Sequence, residues 1–92
     1  MNESSLRIHP SAVVLGRLDG RDIHIGPLAC VSEGAVIEDG VRLGAAAVVA
    51  SGIRVSARAR VEAGAVVTRD VPANAVVQGH PAVIVGYVDT PT

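Results

Sequence analysis

An aliphatic residue returns at every sixth position over the middle of this chain. The in-phase positions are Ile25, Val31, Ile37, Leu43, Val49, Val55, Val61 and Val67. Four places after each of them comes a second apolar and mostly small residue, and these are Ala29, Ala35, Val41, Ala47, Ile53, Ala59, Ala65 and Val71. A period of six fits neither an amphipathic helix nor a simple hairpin strand. The double register therefore indicates a fold built from short repeats.

The repeat predicts an all-β fold, a parallel β-solenoid of about three to four coils. Side chains alternate along a strand, so the first and fifth residues of each hexad can both face one interior. Three hexads close one triangular coil, and successive coils stack as parallel strands roughly 4.8 Å apart. Turn-tolerant residues occupy the fourth hexad position, where we expect the corners: Gly34, Gly40, Gly52, Gly64 and Asp70.

We interpret residues 1–92 as one β-helix domain. A first coil over 8–19 contains two further hexads, Ile8 with Ala12 and Val14 with Leu18. A phase slip or short loop at 20–24 separates it from the regular hexads of 25–72, and 73–92 form a C-terminal cap. Solenoid ends expose unpaired backbone groups, which an atypical terminal segment usually covers.

The composition gives no sign of a nucleic-acid-binding protein. The 92 residues carry a net charge of −1, with eight arginines, no lysine and one aromatic residue. The arginines look scattered through the repeats, so we expect no basic stripe and no nucleic-acid partner.

No apolar run could span a bilayer and no signal peptide is evident, so we expect a cytoplasmic protein. The single Cys30 fits a reducing compartment and is interpreted as a packed small side chain.

One side of the predicted prism is almost wholly apolar on its outside. Its outward residues are Pro27, Leu28, Cys30, Ala45, Ala46, Val48, Ala63 and Val66. The other two sides carry arginine, aspartate, glutamate and serine and look solvated. A contiguous apolar surface indicates an interaction site, and three-sided prisms associate readily about a threefold axis. We therefore predict a homotrimer through this side.

The hexads, together with the closing sequence from Gly64 to Ala82, resemble the hexapeptide-repeat acyltransferases. The resemblance rests on the Thr-Arg-Asp-Val-Pro turn at 68–72 and on the Gly-His-Pro-Ala sequence at 79–82. It implies a left-handed winding, which the spacing alone does not decide. It also implies acetyl-CoA as cosubstrate, no metal, and acetyl transfer to an amino or hydroxyl group of a small molecule. The ending at 85–88 looks most like members that N-acetylate nucleotide-linked amino sugars.

The resemblance also implies where acetyl-CoA binds. It assigns pantetheine contacts to Ala45 and Ala63, and contacts near the adenosine end to Thr68 and Arg69. Small side chains let an extended ligand approach the backbone, and an arginine supplies a charge-assisted phosphate contact. Val83 stands where the family often has lysine or arginine, which removes one expected phosphate contact.

Acetyl transfer needs a base, and histidine is the usual one near neutral pH. We select His24 because it stands at the phase slip, just ahead of the apolar side. His9 is interpreted as a structural residue of the first coil, and His80 fills a variable position of the Gly-x-Pro-Ala motif. Asp19 and Asp22 could orient His24 but more simply form turns.

Two other classes of function stay open. One is a non-catalytic trimerisation or scaffold module derived from the same family. The other resembles zinc-dependent hydratases of this fold, which share three histidines between subunits, although His9, His24 and His80 lack the required clustering in sequence.

Overall fold

A computed structural model describes residues 6–88 of the chain as a β-solenoid of about four turns. Within this range the regular elements are all strands, most of them two or three residues long. They are β1 (Arg7–Ile8), β2 (Val13–Val14), β3 (Arg17–Asp19), β4 (His24–Ile25), β5 (Cys30–Val31), β6 (Val36–Glu38), β7 (Arg42–Leu43), β8 (Val48–Val49), β9 (Arg54–Val55), β10 (Arg60–Val61), β11 (Val66–Val67), β12 (Ala75–Gly79) and β13 (Ala82–Tyr87).

The strands form three sheets, one for each side of the prism. Sheet A has the order β1-β4-β7-β10-β12-β13, sheet B has β11-β8-β5-β2, and sheet C has β3-β6-β9. All pairs are parallel except the last, in which β13 returns antiparallel to β12. The regular coils pair residues 18 apart, as in His24 with Arg42 and Cys30 with Val48. The predicted solenoid is confirmed.

The core consists of the two apolar series of the repeat. The first-position residues from Ile25 to Val67 are at most 3% exposed, as are the fifth-position residues except the half-buried Ile53. No polar or charged residue is buried within 6–88. Burial of each valine or isoleucine contributes roughly 1.5–3 kcal/mol, so the stacked interior is the main source of stability.

The corners turn in the left-handed backbone region at the fourth hexad position. Gly34, Gly40, Gly52 and Gly64 have φ between 70° and 80°. Four side-chain-bearing residues at equivalent corners, Leu28, Ala46, Arg58 and Asn74, have φ near 60°. The left-handed region costs a residue with a Cβ about 1–2 kcal/mol, so these four corners are held by the neighbouring coils.

Two hexads have a different register from the predicted one. Leu18 was assigned to the small fifth position, but β3 pairs it with Ile37, a first-position residue. Val71 was likewise assigned to a fifth position, but it bridges to Val55. In both places the turn from sheet B to sheet C is two residues shorter than in the regular coils. A Cβ on Gly16, in the first of these turns, would lie 2.6 Å from the Ala35 carbonyl oxygen, so only glycine fits.

A hairpin of β12 and β13 ends the described part of the chain. Strand β12 continues sheet A below β10, with Val77 in register with Val61. Ala82 packs against the core, whereas Val83 and Val85 are more than half exposed. The hairpin therefore covers the lower coil on its inner side only, and residues 89–92 of the predicted cap lie outside the described range.

Candidate functional site

A shallow groove of about 430 Å³ follows the corner between sheets A and B in the upper coils. Its polar lining residues are Arg7, His9 and His24, and Gly26 and Pro27 also line it. The histidine predicted as the base therefore does lie in a groove, beside a second histidine that was interpreted as structural.

His24 lies on the outer face of sheet A and is half-buried. The Nη1 atom of Arg42, on the next strand, lies 2.8 Å from Nδ1 of His24. Because a guanidinium has only donors, Nδ1 accepts this hydrogen bond, and the neutral ring carries its proton on Nε2. In this arrangement Nε2 can donate to a ligand, but the ring has no free lone pair with which to accept a proton.

Burial lowers the pKa of His24 below its ordinary value of 6.5. The positive charges of Arg42 and Arg7 lower this pKa further, whereas the carboxylate of Asp22 raises it. The environment therefore favours the neutral imidazole, which is the form that general-base chemistry requires.

His9 is fixed by a different partner. The backbone N–H of Ser11 donates to Nδ1 of His9 at 3.1 Å, and the Ser11 hydroxyl lies 2.9 Å from the same atom. That hydroxyl accepts the Leu28 backbone N–H at 3.0 Å, one coil further down. These bonds tie the upper end of the groove to the corner below it.

The outer face of sheet A carries an arginine ladder, which we define as Arg7, His24, Arg42 and Arg60. Strand pairing places the four in one row, each directly beside the next. The three arginines are exposed, and none has a carboxylate partner within residues 6–88. The expectation that the arginines are scattered is therefore wrong. His24, Arg42 and Arg60 each precede a buried strand residue. Arg7 lies 17 rather than 18 residues before His24, and this irregular spacing hid the row in the sequence.

The two alanines predicted to contact pantetheine lie together. Ala45 and Ala63 are exposed at the corner between sheets A and B, in successive coils, below Pro27. The N–H of Gly64 donates to the Ala45 carbonyl at 2.8 Å and fixes the stacking. A Cβ on Gly44 would lie 2.6 Å from the Ala63 nitrogen, so the two coils stack too closely at Gly44 for a side chain. The result is a column of small residues that continues the line of the histidine groove.

Thr68 and Arg69 lie elsewhere. They are exposed at the corner between sheets B and C, beside a groove of about 390 Å³ under the β12–β13 hairpin. The opposite wall of this groove contains Pro81, Val83 and Ile84. The full width of sheet B thus separates the two pairs of predicted cofactor residues in a single chain.

The third histidine is remote from the other two. His80 is exposed in the turn of the β12–β13 hairpin, whereas His9 and His24 belong to the upper coils. Among residues 6–88 no group of three or more histidine, cysteine, aspartate or glutamate side chains could hold a metal ion. The same range contains no helix that is long and apolar enough to cross a membrane.

Comparison with solved structures identifies the fold. A serine O-acetyltransferase from Brucella melitensis, described as a bacterial transferase hexapeptide repeat, superposes with a TM-score of 0.71 at 30% identity, over 89% of this chain and 41% of that one. A serine acetyltransferase in complex with CoA gives 0.68 at 26% identity, over 87% and 41%. The structural relatives of this chain are the hexapeptide-repeat acetyltransferases.

A third hexapeptide-repeat structure extends the comparison. The maltose O-acetyltransferase from Clostridium difficile 630 superposes with a TM-score of 0.70 at 16% identity, over 92% of this chain and 64% of that one, a likeness in fold alone. The chain thus spans less than two thirds of each of these three proteins. The match confirms the left-handed β-helix. Protein-family models and curated proteins give no match.

Proposed function

We propose that this protein transfers an acetyl group from acetyl-CoA to an amino or hydroxyl group of a small molecule. The observation that carries the proposal is the column of Ala45 and Ala63, which continues a groove containing His9 and His24, in a fold whose solved relatives include acetyltransferases crystallised with CoA and acetyl-CoA. In such a reaction acetyl-CoA supplies an activated thioester.

The residues at the two corners fit this cosubstrate. Two exposed alanines in successive coils present only methyl side chains, so an extended pantetheine could approach the backbone along them. Arg69 has no carboxylate partner among the described residues and is suited to bind a phosphate. The apolar Val83 leaves the phosphate end with fewer cationic contacts, so we expect modest affinity for CoA.

A homotrimer is the second part of the proposal. The outer face of sheet B carries an apolar ladder, which we define as Val13, Cys30, Val48 and Val66. Leu28 extends it at the neighbouring corner and is 69% exposed. Exposed apolar surface of this kind favours association between copies, and a cyclic contact pairs two different surfaces of the chain. Ala63 of one copy and Arg69 of the next could then line one groove, which a single chain does not allow.

His24 is proposed as the general base, with one condition. Because Nδ1 accepts the Arg42 hydrogen bond, the ring can take a proton only after the Arg42 guanidinium turns away. In the transfer itself the acceptor nitrogen or oxygen bonds to the acetyl carbon, the carbon–sulfur bond breaks, and the acceptor proton passes to the base. Substitution His24→Gln should lower kcat about a hundredfold or more, whereas His80→Gln should leave it unchanged.

The decisive experiment measures acetyl-CoA binding by isothermal titration calorimetry. We expect binding to the wild-type chain and its loss in Ala63→Leu, because the larger side chain would occupy the small-residue column. Ala73→Leu is the matched control, since Ala73 is exposed at the corner between sheets C and A. If the wild-type chain fails to bind acetyl-CoA at millimolar concentration, the proposal fails and the scaffold alternative takes its place.

A further inference from the structure

We infer that the acceptor carries a phosphate or carboxylate group and that the arginine ladder binds it. This inference rests on the proposed acetyl transfer and specifies its substrate class.

The first observation is that the ladder concentrates positive charge and that none of its arginines forms an ion pair within residues 6–88, although the Asp22 carboxylate acts on His24. Like charges directly opposite one another on neighbouring strands repel and destabilise a sheet. Sheet C avoids this cost because Arg54 is paired with Glu38, and Arg17 lies 3.9 Å from Asp19. The ladder has no such partner within residues 6–88, although the net charge of the chain is −1. The charge of the ladder therefore indicates that it binds an anion from outside the chain.

The second observation is the position of the ladder beside the histidine groove. Arg7 and His24 belong to both, and Arg42 reaches Nδ1 of His24 at 2.8 Å. An anion held by Arg42 would therefore lie within a few ångströms of the proposed base. This is where the acceptor has to lie, because its reacting nitrogen or oxygen must come within hydrogen-bond reach of that base.

The third observation concerns the donors of Arg42. Only Nη1 contacts His24, and the guanidinium has further N–H donors that can form a bidentate contact with phosphate or carboxylate. An anion that draws Arg42 toward itself would also free Nδ1 of His24 to accept a proton. Binding of the acceptor would thereby both position it and make the base available.

The ladder is separate from the phosphate contacts predicted for acetyl-CoA. Those contacts, Thr68 and Arg69, lie beside the groove under the β12–β13 hairpin, at the corner between sheets B and C. The ladder lies on sheet A, and its groove is in the upper coils. A cosubstrate phosphate and an acceptor anion are therefore assigned to different arginines.

The test uses inorganic pyrophosphate as the probe, titrated calorimetrically into the full chain. Arg42→Gln should weaken binding about tenfold, since a charge-assisted hydrogen bond is lost. Arg42→Lys should recover part of the affinity because it keeps the charge but not the forked geometry. Arg17→Gln is the matched control: it makes the same charge change on sheet C and should bind like the wild type. Pyrophosphate should also shift the NMR signals of the His24 ring.

Two results would overturn the inference. One is an equal loss of pyrophosphate affinity in Arg42→Gln and Arg17→Gln, which would mean that pyrophosphate binding depends on the overall charge alone. The other is a single-stranded DNA oligomer that binds through the same arginines far more tightly than pyrophosphate, which would assign the ladder to a polyanion.

A second, independent experiment measures acetyl transfer to two acceptors. Glucosamine and glucosamine 6-phosphate differ only in the anionic group, and we expect a kcat/KM about tenfold or more higher for the phosphorylated acceptor, a preference that Arg42→Gln removes. Transfer with equal efficiency to both acceptors would refute the inference and leave the proposed function intact. A wild-type chain that binds pyrophosphate but not acetyl-CoA would instead refute the proposed function. It would also refute the assignment of the anion site to an acceptor.

Discussion

The outer faces of sheets A and B share the same coils and differ in the outward residue of each strand. On sheet A that residue is Arg7, His24, Arg42 or Arg60, and on sheet B it is Val13, Cys30, Val48 or Val66. From Ile25 to Val67 the inward neighbours are buried aliphatic residues in both sheets, whereas Ile8 in the first coil is 39% exposed. The inward residue thus determines the fold, whereas the outward residue determines what each face can bind.

The largest expected effect concerns the core that both faces share. Ile37→Ala should lower the free energy of unfolding by about 2–5 kcal/mol, because Ile37 is fully buried and the solenoid cannot collapse around the cavity. Chemical denaturation measures the change. Val36→Ala, on the outer side of the same strand, should stay within about 0.5 kcal/mol of the wild type. Equal losses at the two positions would contradict the division into inward and outward residues.

The next test addresses the proposed contact surface of sheet B. Val48→Glu should weaken association about a hundredfold, since it would bury an unpaired carboxylate at an apolar contact. Analytical ultracentrifugation at several concentrations checks this. Val36→Glu makes the same change on sheet C, between Arg17 and Arg54, and should leave the oligomer intact. A wild-type chain that sediments as a monomer at micromolar concentration would refute the homotrimer.

The next effect concerns glycines at two corners, Gly44 between sheets A and B and Gly52 between sheets B and C. Gly44→Ala should cost about 2–3 kcal/mol of stability, because its Cβ would lie 2.6 Å from a backbone nitrogen of the next coil. Gly52→Ala should cost about 1 kcal/mol, because it meets no atom within 4 Å and suffers only from its φ of 74°. Thermal denaturation of both variants distinguishes the cost of a steric clash between coils from the cost of a left-handed backbone conformation. The reverse order would mean that the coils at Gly44 can separate freely.

The smallest effect concerns protonation of His24. Its folded-state pKa is lowered, so the unfolded chain binds the proton more readily, and His24 should reduce stability as the pH falls below 6.5. Arg42→Gln should raise this pKa because it removes a positive charge, whereas Arg17→Gln should not change it. An NMR titration of the ring measures both. An unchanged pKa in Arg42→Gln would contradict the contact between the two side chains.

Much of the fold could be predicted because one physical rule repeats. A narrow interior accepts only small aliphatic residues, so the positions of Ile25, Ile37 and Val49 indicate the coil length directly. The register of Leu18 and Val71 could not be obtained this way, because a corner shortened by two residues still places an apolar residue inside. Only the pairing of strands distinguishes the two arrangements.

Less of the candidate site could be predicted from the sequence. Ala45 and Ala63 could be predicted because they are 18 residues apart and therefore share a corner, but their separation from Thr68 and Arg69 by sheet B depends on where the chain turns. The contact between Arg42 and His24 was missed because outward residues follow no hydrophobic pattern.

The sequence by itself determined the coil, the buried series and the apolar outside of sheet B, since burial repeats along the chain and is visible as periodicity. Only the tertiary structure decided that Arg7, His24, Arg42 and Arg60 form one row and that Nδ1 of His24 accepts from Arg42. The physical reason is that charged side chains on a surface are placed by neighbours one coil away, and a single irregular turn shifts that register without changing which residues are buried.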